Sequence, residues 1–111
     1  EASGGSVSES SDRAAALADA SVVYAKEWGA PQCYGDADAD ARLRESLRNW
    51  QLRESWFEPA RPDCRFMHCL PVRRNVAVAD EVLDGPRSLV IDEAANRMRV
   101  QMAVLYRILK G

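Results

Sequence analysis

An α/β fold, with a parallel sheet and helices on both of its faces, is what the sequence predicts, and three observations lead there. Short apolar runs of strand length, SVVYAK (21–26), RFMHC (65–69) and SLVID (88–92), alternate with segments of helical period. The first run is rich in β-branched and aromatic residues, the composition of a buried strand. Ala94, Met98, Met102, Leu105 and Leu109 recur at helical spacing near the end of the chain, the stripe of a helix laid against a sheet. Strand, helix and strand in succession imply right-handed crossovers and a parallel sheet.

Taken in order, GGSVSES around Val7 is a short strand candidate, and Asp12 then fits the N-cap of a helix in which Ala14, Leu17 and Ala18 share a face. SVVYAK follows as a strand. EWGAPQCYGDAD carries Gly29, Pro31 and Gly35, the composition of a long loop at a working edge of the fold. Ala39, Leu43, Leu47 and Trp50 then mark one face of an amphipathic helix with a charged outer side. SWFEPARPDC breaks at Pro59 and Pro62, RFMHC is the next strand, and ADEVLDG reads as a short helical turn. SLVID is a third strand, and Asp92 fits the cap of the last helix.

At 111 residues the chain is one small domain at most, and its 47% hydrophobic content is enough for a core. Basic and acidic residues are interleaved around a formal charge of −2, which argues against nucleic acid or an anionic membrane surface as a partner. No apolar run approaches the roughly 20 residues of a membrane span, and the first residues lack the order of a signal peptide, so a cytoplasmic protein is expected. Three cysteines at irregular spacing point to a reducing compartment rather than a disulfide framework. The chain starts with Glu1, and its first segment reads as the inside of a fold, so it is expected to be part of a longer protein.

In parallel α/β sheets, ligands collect beyond the carboxyl ends of the strands. Lys26 ends one strand, His68, Cys69, Leu70 and Pro71 end the next, and Arg97 lies in the opening turns of the last helix, so all are expected on one crevice. Two cations there suggest an anionic ligand, with the guanidinium suited to carboxylate or phosphate oxygens. The alternative is a solvated Lys26 and an Arg97 paired with Glu93 one turn earlier. Adjacent strand residues point to opposite faces, which disfavours activation of the Cys69 thiol by His68, and Cys64, His68 and Cys69 lack the spacing of a zinc site. A cis Leu70–Pro71 peptide would turn the Cys69 and Leu70 carbonyls into the crevice, whereas an ordinary trans turn would not. Arg73 and Arg74 read either as a solvated basic pair or as residues that support the site or contact substrate, and Trp28 and Trp50 as packing residues or stacking platforms. No Gly-rich phosphate loop, paired catalytic carboxylates or Ser-His-Asp order is present.

HCLPVRRNV (68–76) followed by IDEAANR (91–97) resembles the carboxyl-terminal part of the aspartate/ornithine carbamoyltransferase family. Within it, VVYAKEWG and HCLPVRRN are most similar to the branch that acts on N-acetylornithine. The resemblance runs from about Gly4 to Ile108 and implies an incomplete, Rossmann-like ornithine-binding domain across residues 1–111, without the amino-terminal carbamoyl phosphate domain. It implies transfer of the carbamoyl group from carbamoyl phosphate to the side-chain amine of N-acetylornithine in arginine synthesis, with no metal or organic cofactor, in a homotrimer. Lys26 would hold the substrate carboxylate. Cys69 and Leu70 would meet the carbamoyl group through backbone carbonyls, and Arg97 would bind carbamoyl phosphate and stabilise the tetrahedral centre, with His68 and Arg73 in supporting places. Positioning and electrostatics can carry such a reaction without a covalent intermediate.

The chain departs from the family pattern in two respects. Ala77 stands where relatives often have Lys, and neither the S-x-R-T phosphate loop nor the H-P-x-Q segment occurs. The chain is therefore expected to supply half a site and to be inactive alone. Ornithine or N-succinylornithine as the amine, or a binding module without chemistry, are the rival expectations.

Overall fold

The computed structural model describes residues 4–111. Its centre is a parallel pair, β1 (Val22–Ala25) and β2 (Arg65–His68), in register from Val22 opposite Arg65 to Ala25 opposite His68. Phe66 extends the sheet by one further rung. Its N–H donates to the Arg87 carbonyl and its carbonyl accepts from Leu89 N–H, both at 2.9 Å, in a parallel bridge to Ser88. β2 is thus bonded on both edges, and the side chains of Phe66 and His68 are fully buried.

The core gathers on the face of β2 that Phe66 presents, with Leu52, Phe57, Cys64, Val78, Val82, Leu83 and Val90 around it. Phe57 meets Phe66 edge to face at 6.5 Å between ring centres, a geometry that aromatic quadrupoles favour. Leu52 is tied to the 77–79 segment by two hydrogen bonds, accepting from Ala79 N–H and donating to the Ala77 carbonyl. Burial lifts the Cys64 thiol above its ordinary value, because the thiolate would lose its hydration there.

Among the described residues the chain forms four α-helices, of which the last packs on β2. α1 (Arg13–Leu17) is capped by Asp12, whose carboxylate accepts from Ala15 N–H at 3.1 Å. α2 (Ala37–Ser46) is capped in the same way by Asp36. α3 (Asp80–Leu83) has its first N–H taken by the Asn75 side chain, and the chain of Asn75 itself turns through a positive φ of 57°. α4 (Val90–Lys110) is the longest element. Among the described residues no helix is long and apolar enough to cross a membrane.

Five expectations require correction. GGSVSES forms no strand, and Val7 is fully exposed with no neighbouring strand to pair with. The predicted strand 88–92 shrinks to one bridging residue, because Phe66 is satisfied by Arg87 and Leu89, and the Leu89 carbonyl then accepts from Glu93 N–H to start α4. Asp92 consequently lies in the first turn rather than at the cap, where its charge still suits the helix dipole. α2 stops at Ser46, where the N–H groups of Leu47 and Arg48 tighten onto carbonyls three residues back, those of Arg44 and Glu45, and Trp50 packs on Trp56 at 5.5 Å instead of extending the helical stripe. The stripe on α4 is uncovered: Met98 is 64% exposed and Leu109 is 85% exposed. Lengths explain this last result, because 21 helical residues reach about 32 Å and four strand residues only about 13 Å.

Candidate functional site

A cleft of about 760 Å³ opens where β1 and β2 end and α4 begins. Tyr24 comes to it from β1, His68, Cys69 and Leu70 from the end of β2, and Glu93 and Arg97 from the first two turns of α4. An adjoining recess of about 580 Å³ shares Leu70 and Arg97 and adds Pro71 and Arg74. The Leu70–Pro71 peptide is cis, and Leu70 has a φ of 44°.

His68 and Cys69 do point apart, the imidazole 1% exposed and the thiol in solvent. The ring is held locally: Leu70 N–H donates to Nδ1 at 3.0 Å, which leaves the proton of the neutral imidazole on Nε2. That Nε2 is buried with no hydrogen-bond partner among the described residues.

Glu93 is the hub of the cleft. Its Oε1 accepts from the Tyr24 hydroxyl at 2.7 Å and its Oε2 from His68 N–H at 3.2 Å. Ionised Tyr24 would lose its bond and face the carboxylate, so Glu93, with lesser help from burial, pushes the phenol up to about 12. The expected Glu93–Arg97 alternative is therefore not what the structure holds. Arg97 has no ion-pair or hydrogen-bond partner among the described residues, and it lines the same cleft as Cys69 and Leu70.

Lys26 takes a different place. It lines a neighbouring cleft of about 650 Å³ with Trp28, Trp50, Trp56 and Arg13, whose guanidinium sits 4.1 Å over the Trp56 ring. The single crevice expected from the sequence is thus two, with Tyr24 on the wall of both. β1 ends at Ala25, so strand alternation no longer directs the Lys26 side chain.

Arg73 and Arg74 are not a solvated pair. The Arg73 guanidinium meets the Glu27 carboxylate and the Trp28 carbonyl, and the backbone N–H of Arg73 donates to Glu27 Oε2 at 3.0 Å. It fastens the loop after β1 to the loop after β2. Arg74 bridges Asp80 and Asp84 and holds both carboxyls below their ordinary range. Tyr24 and Glu27 were not singled out by sequence. Period-two alternation along SVVYAK, which puts Tyr24 two residues before Lys26, was the one available signal for Tyr24.

Chemically, the cleft offers an unpaired guanidinium, an exposed thiol and strand-end backbone, suited to a small anion with a polar group to orient. The sequence profile of the aspartate/ornithine carbamoyltransferase Asp/Orn-binding domain matches residues 1–108. N-acetylornithine carbamoyltransferase of Xanthomonas campestris is 41% identical over 103 residues, covering 93% of this chain and 30% of that protein. Ornithine carbamoyltransferase of Pyrococcus abyssi is also 41% identical, covering 98% of this chain and 33% of its own length. Among solved structures, acetylornithine transcarbamylase complexed with acetylcitrulline superimposes with a TM-score of 0.72 at 39% identity, over 85% of this chain and 28% of that one. A variant of N-acetyl-L-ornithine transcarbamylase complexed with carbamyl phosphate and N-succinyl-L-norvaline gives 0.73 at 39% identity, over 86% and 28%. The chain therefore spans about a third of the length of the relatives it matches.

Proposed function

The chain belongs to the aspartate/ornithine carbamoyltransferase family, and on that premise we propose that it forms the amino-acid-binding part of an enzyme that transfers the carbamoyl group of carbamoyl phosphate to the side-chain amine of N-acetylornithine. The observation that carries this reading is the unpaired Arg97 guanidinium on the same cleft as Cys69 and Leu70. Arg97 would take phosphate oxygens of carbamoyl phosphate and the charge that gathers as the tetrahedral centre forms. The carbonyls of Cys69 and Leu70 would accept hydrogen bonds from the carbamoyl NH₂ and the attacking amine. A neutral amine held against an activated carbonyl needs no covalent intermediate, so orientation and fixed dipoles supply the rate.

Lys26, in the adjoining cleft, would bind the substrate carboxylate across the Tyr24 wall, and the Arg73–Glu27 clasp would hold the Lys26 loop in place. His68 would contribute through its ring contact with Leu70 N–H, which stiffens the strand end. Carbamoyl phosphate also needs a phosphate-binding partner domain, so the 111-residue chain alone is expected to give no steady product. The complete enzyme is proposed to be a homotrimer in the cytoplasm.

Ornithine is the second reading, favoured by the equal identity to the Pyrococcus abyssi enzyme. Initial rates of the gene's full-length product with carbamoyl phosphate and each of N-acetylornithine, ornithine and N-succinylornithine decide between them. N-acetylornithine is expected to give the highest kcat/KM. A higher value for either other amine would overturn the substrate assignment, and no citrulline-type product from any would overturn the function.

A further inference from the structure

Glu93 and Arg97 are four residues apart on α4, the spacing at which a carboxylate and a guanidinium on a helix ordinarily pair. They do not pair here. Beyond Phe66 the segment that bridges it at Ser88 has already turned into α4, so the N–H of His68 finds no strand carbonyl, and Glu93 Oε2 takes it instead at 3.2 Å. Tyr24, on the other side of β2's end, takes Oε1 at 2.7 Å. Both carboxylate oxygens are thereby drawn toward the sheet.

We propose that Tyr24, together with the His68 N–H, acts as a positioning residue that holds the Glu93 carboxylate off Arg97 and so keeps the guanidinium open for the phosphate of the substrate. This rests on the functional reading above and deepens it: the anion affinity of Arg97 is set by a phenol on a different strand. Without the hydroxyl, Oε1 is released next to a guanidinium one turn away, and the internal ion pair competes with the ligand. An i,i+4 pair of about 0.5 kcal/mol weakens a competing ligand about threefold. Tyr24 needs no contact with the substrate to have this effect.

The test is a double-mutant cycle in the gene's full-length product, reading inorganic phosphate affinity by calorimetry and the KM for carbamoyl phosphate in parallel. Tyr24→Phe is expected to weaken phosphate and raise that KM about threefold, with kcat changed less. Glu93→Gln is expected to change phosphate affinity by a smaller factor in the wild-type background, where the carboxylate is drawn toward the sheet, than in Tyr24→Phe, where it is expected to restore the loss. A purely structural role for Tyr24 would not be rescued by changing Glu93. Equal effects of Glu93→Gln in both backgrounds, or an unchanged phosphate affinity in Tyr24→Phe, would overturn the inference while leaving the function intact. If the wild-type protein binds neither phosphate nor carbamoyl phosphate, the functional reading falls and this inference with it.

Discussion

Val90 and Met98 stand about two turns apart on the same helix, yet Val90 is 5% exposed and Met98 is 64% exposed. The first turn of α4 is locked to the sheet by Leu89 N–H on Phe66 and by Glu93 on His68 and Tyr24. The later turns run past the end of a four-residue strand, with Met102, Leu105 and Leu109 in solvent. The contrast separates two things that an apolar stripe is commonly taken to mean together. The stripe specifies which face of a helix is apolar, and only the length and placement of the neighbouring layer decide whether that face is covered.

The comparison can be broken most forcefully at its buried pole. Phe66→Ala removes a fully buried ring that packs on Phe57, and a loss of about 3–5 kcal/mol is expected in urea unfolding. A loss under about 1 kcal/mol would mean that the core around β2 is not the stabilising unit described. A smaller effect concerns the Arg74 clamp beside the cleft. Asp80 and Asp84 are held below the ordinary 3.8, chiefly by their hydrogen bonds to Arg74. Carboxyls depressed in the folded state contribute stability above 3.8 and lose it as the pH falls through their lowered values. Urea midpoints measured from roughly pH 5 down to pH 2 should therefore fall, and Arg74→Ala should flatten that fall. An unchanged slope in the variant would show that the clamp carries none of it. The smallest effect belongs to the exposed pole: Leu109→Gln should move the unfolding free energy by no more than about 0.5 kcal/mol. A loss of about 2 kcal/mol would instead show that the outer turns are covered in solution.

Much of this architecture was legible because the signals were local. SVVYAK and RFMHC became β1 and β2 through short β-rich composition, and the Asp12 cap was visible as an acid before an alanine-rich turn. The collapse of SLVID into one bridge depended on the non-local bonds of Phe66 to Arg87 and Leu89, which no period in the sequence encodes. The candidate site was legible in part for the same reason. Strand ends placed Cys69, Leu70 and Arg97 together, and the HCLP segment marked the place. The separation of Lys26 into a second cleft depended on where β1 stops, and the capture of Glu93 by Tyr24 joins residues 69 positions apart.

The most direct test is the kcat/KM for carbamoyl phosphate of an Arg97→Gln variant of the full-length product. A fall of at least about 100-fold is predicted, the scale on which removing one charge-stabilising donor from a transition state is felt, with the unfolding free energy moved by less than about 0.5 kcal/mol. A value within threefold of wild type would contradict the assignment of this cleft as the place where the carbamoyl donor is held.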